Sequence, residues 1–404
     1  MKSVKLLSSL AFGASALALV LAAPASAQTK EPLKVGALMS MTGSGASVGA
    51  ASLLGLRMAM SEINAAGGIL GRQVQIVQGD DATDTTNAVT EAKRLLFQEK
   101  VQIMYGPQFS PPSLAVANAV AKTETGITYW SLATASAFTP EVARTAFSFG
   151  PSGDALAEAM VDYAINTRKA KSIGFLYDDA QQSALIYETI KGLMKAANRE
   201  LAGVDQYQLN APDVTPQLLN LRRKGVDFVL LQAQSPIDTA TVMKNTEQIG
   251  WDIKYAGNNG AVVNFPVMAK NAGPTAIKAL VAGVSVKAFS ACAADPLGQS
   301  EYVKYTERLK KFEPNLNPQI GLTTVVQYYD MAYLSKAVAE AVGSTDGMKM
   351  TEMLEQNSGK FKTIVAPELR ITRTNHFLAT AAALTMAEDM GNTRADGLYK
   401  RAGC

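Results

Sequence analysis

Residues 33–84 (LKVGALMSMTGSGASVGAASLLGLRMAMSEINAAGGILGRQVQIVQGDDATD) constrain the fold more than any other stretch of the chain. They read as a strand, a glycine-rich turn, an amphipathic helix, a Gly-Gly-Ile loop and a second strand that ends in acids. A strand-length apolar run, apolar residues at helical spacing and a further strand make one βαβ unit. The crossover sets the two strands parallel and right-handed, and parallel strands need helices over both faces. A chain built from such units folds as an α/β sheet.

The pattern continues. Residues 85–99 place Ala88, Ala92, Leu95 and Leu96 on one helical face, with Asp84 or Thr85 as N-cap. VQIMYGP (101–107) is a strand, 111–126 a helix with proline in its first turn, and ITYWSLA (127–133) a strand. After residue 154 the series restarts: helix 155–167, strand 171–179, a helix near 183–198, strand GVDQYQL, helix VTPQLLNLRRKG and strand 226–233. A helix around 237–249, the strand WDIKYAGN and a helix near 263–271 follow. Residues 281–318 hold one strand and a polar, proline-bearing segment, and 319–343 form the longest amphipathic helix, whose Tyr328, Tyr329 and Tyr333 are expected to pack. A chain that builds an open parallel sheet twice makes two lobes, and ligands of such sheets sit in the crevice at the strands' carboxyl ends.

The N-terminus reads as an export signal. Lys2 and Lys5 precede an apolar run from Leu6 to Leu21, and Ala25-Ser26-Ala27 supplies a cleavage site after Ala27. The apolar run is short for a membrane anchor, so a soluble periplasmic protein with no membrane insertion after cleavage is expected. Residues 1–27 carry two lysines and no acid, so the remaining 377 residues carry 36 basic and 35 acidic groups, a net +1. That balance gives no general attraction to nucleic acid or to an anionic membrane. Cys292 and Cys404 either pair, as an oxidising compartment permits, or stay as free thiols.

Several pieces occur in an order that carries a family resemblance: Met41-Thr42-Gly43, Gly49, Asn64-Ala65-Ala66-Gly67-Gly68-Ile69, Asp80-Asp81, Gly106-Pro107-Gln108-Phe109-Ser110, Gly126-Ile127 and Asp213-Val214-Thr215. The mature chain resembles the periplasmic binding proteins of branched-chain (hydrophobic) amino acid ABC importers, the leucine-binding-protein-like type I class. The resemblance implies two doubly wound parallel-sheet lobes joined by a multi-strand hinge, a Venus-flytrap. Residues 28–150 and 283–362 are expected to form the first lobe, and 151–282 and 363–404 the second. It also implies a non-enzymatic, cofactor-free substrate-binding component that works with ABC permease membrane subunits. A sensory receptor feeding a signalling protein is the alternative.

In this family a ligand carboxylate is held by a serine after the Gly-Pro motif and by hydroxyls and amides at the next strand end. The matching positions are Ser110, then Ser131, Ala133, Thr134, Ala135 and Ser136. Ser110 also suits a plain helix N-cap, because a cap and an anion use the same orphan amides. Phe109, Tyr129 and Trp130 could stack on a ligand ring, but beside or within buried strands core packing is the better reading for them. Gln232, Gln234, Ser235, Asn258 and Asn259 end second-lobe strands and face the crevice on this reading. The acid that grips an α-ammonium in the amino-acid binders falls on Asn259, and two ligand-covering tyrosines fall on Val48 and near Ser183. An unpaired ammonium costs several kcal/mol, roughly, when buried. The expected ligand is therefore a small carboxylate, an aromatic or other organic acid ahead of a hydrophobic amino acid, unless Asp178 or Asp179 reaches the ammonium.

Other chemistries fit poorly. Gly45-Ala46-Ser47-Val48-Gly49 matches the nucleophile elbow of serine hydrolases, with His376 as the sole candidate base, but a loop separates it from its strand. Gly43, Gly45 and Gly49 miss the dinucleotide spacing. One histidine and two distant cysteines do not make a zinc site.

Overall fold

The computed structural model describes residues 30–121, 126–135, 137–317, 320–367 and 369–404, so the expected export signal and Ser136 lie outside the described residues. The chain runs β1 (Leu33–Met39), α1 (Ala46–Ala65), β2 (Val74–Asp80), α2 (Thr85–Lys93), β3 (Ile103–Tyr105), α3 (Ser110–Ala121), β4 (Thr128–Ser131) and β5 (Ala146–Pro151). It continues with α4 (Gly153–Asp162), β6 (Ile173–Asp178), α5 (Gln181–Ala196), β7 (Gly203–Tyr207), α6 (Thr215–Arg223), β8 (Phe228–Gln232), α7 (Pro236–Gln248) and β9 (Tyr255–Gly257). Then come α8 (Gly260–Val263), α9 (Phe265–Ala272), β10 (Leu280–Val286), β11 (Ser290–Ala291), α10 (Glu301–Phe312), α11 (Leu322–Val342) and α12 (Gly347–Asn357). The last strands are β12 (Phe377–Ala379), β13 (Leu384–Glu388) and β14 (Tyr399–Arg401).

One sheet has the order β12-β5-β4-β3-β1-β2 and is parallel throughout. Alternation along β1 shows why both faces must be covered: Leu33, Val35 and Ala37 share a cluster with α1 and α11, whereas Leu38 packs with residues of α2 and α3. The second sheet is β11-β14-β13-β10-β9-β8-β6-β7. It is parallel from β7 to β10, and β13 runs antiparallel to both β10 and β14. Both sheets therefore carry a doubly wound parallel core, with strand order reversing between β1 and β3 in one and between β6 and β8 in the other.

The chain passes between the lobes at Pro151–Gly153, at 292–300 and at 380–383. Two expected boundaries move. The return to the first lobe follows β11 instead of falling at 283, because β10 and β11 complete the second sheet. The last crossing comes after 379 instead of 363, because Phe377 pairs with Ser148 on β5. The two-residue β11 and three-residue β12 lie in segments with too little periodicity to be read from sequence. Cys292 and Cys404 are joined, with Cα atoms 5.4 Å apart and 112 positions apart in sequence. The bond ties the second crossing to the C-terminal segment.

The turns of the first βαβ unit have plain physical causes. Asp80 accepts hydrogen bonds from the amides of Met41, Thr42 and Ala82 and from Thr42 Oγ1, which pins the turn after β1. Gly43 has φ +77°, and a Cβ there would lie 2.3 Å from the Ala82 carbonyl. Asn64 binds both the N–H and the C=O of Val74, so the Gly67-Gly68 loop returns in register with β2.

Candidate functional site

The cleft lies between the carboxyl ends of the two sheets, beside both reversal points, where the fold predicts a ligand. Its volume is about 130 Å³. That compares with the roughly 150 Å³ engineered cavity that accepts benzene, so a one-ring or similarly small ligand fits.

The first-lobe rim is built by the segment after β3. Gly106 turns the chain with φ +87°, and a side chain there would strike the Leu38 carbonyl. Pro107 O then accepts from Ser113 Oγ (2.9 Å) and Ser131 Oγ (3.0 Å). This brace sets the start of α3, so Ser110 arrives at the cleft as its first residue. Ser110 Oγ accepts hydrogen bonds from the amides of Thr134 (3.1 Å) and Ala135 (3.2 Å). With both lone pairs used, the hydroxyl proton is the group left for an acceptor in the cleft. The two halves of the expected carboxylate cradle are thus bonded to each other.

The remaining expected residues separate. Phe109 lines the cleft beside Gly45, where any Cβ would meet its ring, and Thr134 lines it too. Ser131 and Ala133 do not line it: both are fully buried, Ser131 in the brace and Ala133 accepting from Ser148 Oγ at 2.6 Å. Ala135 contributes its amide to Ser110 and no side chain to the wall. Tyr129 and Trp130 are core residues, Trp130 packing on Phe147 and Phe149.

On the second lobe Gln232, Gln234, Asn258 and Asn259 all line the cleft. Gln232 and Asn258 are saturated by each other and by their surroundings. Asn258 Nδ2 donates to Gln232 Oε1 (3.0 Å) and Ala233 O (2.9 Å), while its Oδ1 accepts from Gly260 N (2.9 Å). Asn259 is the N-cap of α8, makes no side-chain cap bond and keeps its carboxamide free among the described residues. Ser235 is the N-cap of α7, accepting from Ile237 N.

The sequence did not mark five polar groups of the wall as site residues: Gln108, Asn264, Ser285, Thr324 and Gln327. Gln108 was visible, since it lies inside the Gly-Pro motif, and its Oε1 accepts from Ser40 N. Thr324 and Gln327 come from α11, a helix with no sequence mark of a site. Among the described residues lining the cleft none has an ionisable side chain. Asp178 is fully buried behind the wall, accepting from Ala180 N (3.1 Å) and Gln234 N (2.6 Å), and burial pushes its carboxyl up despite hydrogen bonds from Ser183 and these amides. Asp179 accepts from Leu209 N. Neither faces the cleft, which removes the two acids that sequence offered for an ammonium. Gln182 Nε2, on α5 of the second lobe, donates to Thr134 O of the first at 3.1 Å, so one hydrogen bond bridges the lobes at the rim.

The hydrolase geometry is absent. Ser47 is exposed in the first turn of α1, whereas His376 is fully buried, stacked on Phe147, with its ring nitrogens at Ala146 O (2.9 Å) and Glu355 Oε1 (3.0 Å). No group of three or more His, Cys, Asp or Glu gathers to hold a metal among the described residues. Nor, among them, is any helix long and apolar enough to cross a membrane.

A family model for the periplasmic binding proteins matches residues 32–392, and the chain belongs to that family. The Leu/Ile/Val-binding protein homolog 8 of Brucella suis biovar 1 is 30% identical over 254 residues, covering 61% of this chain and 62% of that protein. The chain thus spans about three fifths of the length of the curated relatives it matches. Among solved structures, the branched-chain amino acid transporter substrate-binding protein of Streptococcus pneumoniae in complex with isoleucine superposes with a TM-score of 0.74 at 19% identity, covering 91% of this chain and 97% of that one. A solute-binding protein of an ABC transporter from R. palustris in complex with 4-hydroxybenzoate gives a TM-score of 0.74 at 18% identity, covering 92% of this chain and 95% of that one. At such identities the likeness establishes the fold, two parallel-rich α/β sheets with helices.

Proposed function

We propose that the protein is the exported solute receptor of an ABC importer, that its two lobes close on a small organic carboxylate, and that the closed form is what permease subunits recognise. The observation that carries this reading is a cleft whose described lining residues include no charged side chain, with the Ser110 hydroxyl at the start of α3 on one rim and carboxamides on the other. The first turn of α3 favours an anion by ~0.3–1 kcal/mol, more when partly buried, and a hydroxyl–carboxylate hydrogen bond adds ~1.5–3 kcal/mol. Among the described residues of the wall nothing neutralises an ammonium, so an organic acid, aromatic or aliphatic, is favoured over a branched-chain amino acid. The solved relatives with isoleucine and with 4-hydroxybenzoate bracket these two ligand classes. Because half-sites sit on separate lobes, ligand shifts the population toward closure.

The test is a thermal-shift panel of hydrophobic amino acids, aromatic carboxylates, dicarboxylates and amides at equal concentration. Organic acids are expected to raise the melting temperature. Stabilisation by leucine or valine, with none from any acid lacking an amino group, would refute the reading. Ser110→Ala should weaken the best acid by about 10- to 100-fold in calorimetry, the equivalent of one charge-assisted hydrogen bond. Unchanged affinity removes Ser110 from the site.

A further inference from the structure

Behind the second-lobe wall, Asp178 and Ser183 form a buried pair that dictates which way two carboxamides point. Both Asp178 oxygens accept backbone N–H groups, Oδ1 from Ala180 and Oδ2 from Gln234, so this side chain acts as an acceptor. The fully buried Ser183 lies beside Asp178, and its hydroxyl oxygen accepts from Gln232 Nε2 (3.4 Å) and Gln234 Nε2 (3.5 Å). Each glutamine is therefore turned with its NH2 inward. Gln232 Oε1 is consumed by Asn258 Nδ2. Gln234 Oε1 has no partner among the described residues, on a side chain that lines the cleft.

We infer that Gln234 is a specificity-determining residue whose oxygen, aimed by Ser183, selects ligands with a neutral hydrogen-bond donor at the end remote from the carboxylate. This rests on the reading of the protein as a carboxylate receptor and narrows it to hydroxy acids and acids with a terminal amide N–H. The polarity is complementary across the cleft: the first lobe offers the Ser110 hydroxyl proton to an acceptor, and the second offers a fixed acceptor to a donor. A site built to bond a ligand hydroxyl discriminates strongly against the analogue that lacks it, because the protein group is then buried without a partner. An acceptor-only substituent, such as an ether, meets lone pairs with lone pairs and gains nothing. Without Ser183 the Gln234 amide is free to turn over and present NH2 instead.

The experiment compares matched ligands by calorimetry: benzoate, 4-hydroxybenzoate and 4-methoxybenzoate, with pentanoate and 5-hydroxypentanoate as an aliphatic pair. The intact protein is expected to bind the hydroxy member of whichever scaffold it accepts at least tenfold tighter than the parent acid, and the methoxy compound no tighter than the parent. Gln234→Leu should bring the hydroxy-to-parent ratio close to one, whatever it does to the affinity for the parent acid. Ser183→Ala should narrow the hydroxy-to-methoxy ratio, a readout that loss of packing alone does not move. Its ligand-free melting temperature is recorded alongside, and Gln234→Leu decides the matter independently should Ser183→Ala not fold. Equal affinity of the intact protein for parent and hydroxy acids overturns the inference and leaves the receptor reading standing. A preference that survives in Gln234→Leu overturns it too. Failure of every acid to bind overturns the receptor reading itself, and this inference with it.

Discussion

On the proposed reading, one atom type at Asn259 decides the ligand class. The residue sits on the second-lobe rim with its carboxamide unspent, at the position the sequence resemblance matches to the acid of the amino-acid binders. Asn259→Asp is expected to add the missing countercharge. Affinity for leucine should rise about tenfold or more, the scale of one charge-assisted hydrogen bond, while affinity for the matching acid without an amino group falls by charge repulsion. Calorimetry with both ligands checks this, and an unchanged ratio between them would show that Asn259 does not face the ligand's far end. Ser131 teaches the opposite lesson. Its position matched a ligand-binding pattern, yet its hydroxyl serves Pro107 O, Ser113 and the Ala133 amide. Sequence reports that a hydroxyl is present and never where its proton points.

At the scale of elements, α1 and α11 illustrate close packing that depends on one missing side chain. A Cβ on Gly55 would lie 1.9 Å from the Val325 carbonyl, so the two helices meet backbone to backbone. Gly55→Ala should force them apart and lower stability by about 1–3 kcal/mol, as overpacking does, against the small helix-propensity gain. A denaturation midpoint equal to that of the parent would disprove this contact. The same helix α11 carries Asp330, which accepts from Ile364 N (3.1 Å) and Val365 N (2.7 Å) and so fastens the 363–366 turn. Burial pushes its carboxyl up to about 7, against the lowering effect of these amides and Thr363. The folded state then holds a proton that the unfolded chain releases near pH 4. Stability from this group is full below about pH 4 and lost as pH rises through about 7. Melting temperatures of the parent and Asp330→Asn, followed from pH 4 to 8, should diverge in slope across that window. Parallel curves would exclude Asp330 as the source. The boundaries of long elements were legible: the helix expected at 237–249 is Pro236–Gln248, and that at 319–343 is Leu322–Val342. The strand expected from WDIKYAGN shrinks to Tyr255–Gly257, because only those residues find partners on β8 and β10.

For the molecule as a whole, three crossings and the Gln182–Thr134 hydrogen bond at the cleft join the two lobes, and the Cys292–Cys404 bond braces the second lobe where the second crossing leaves it. The disulfide joins residues 112 positions apart, and chain entropy in the unfolded state assigns such a loop ~4–5 kcal/mol. Cys404→Ser, or a reducing agent, should lower the unfolding midpoint clearly. An identical midpoint with and without reductant would mean that the bond adds nothing to stability. The antiparallel pair β13 and β14 lies close to this bond through β11, so the loss should fall on the second lobe, where hydrogen exchange would locate it.

Much of this architecture was written in local sequence. Alternating strand and helix periods, the Asn64–Ile69 loop and the Asp80-Asp81 end of β2 fix a doubly wound α/β chain, because each acts through neighbours a few residues away or through a single crossover. The cleft was decided by tertiary structure. Gln108, Gln234, Asn264 and Gln327 come from separate elements of both lobes, and only the fold places them around one volume. Burial of Asp178 behind Ser183, and the consumption of the Thr134 and Ala135 amides by Ser110, are likewise products of packing. A hydrogen bond depends on angle and distance between groups far apart in the chain, and residue identity alone carries neither.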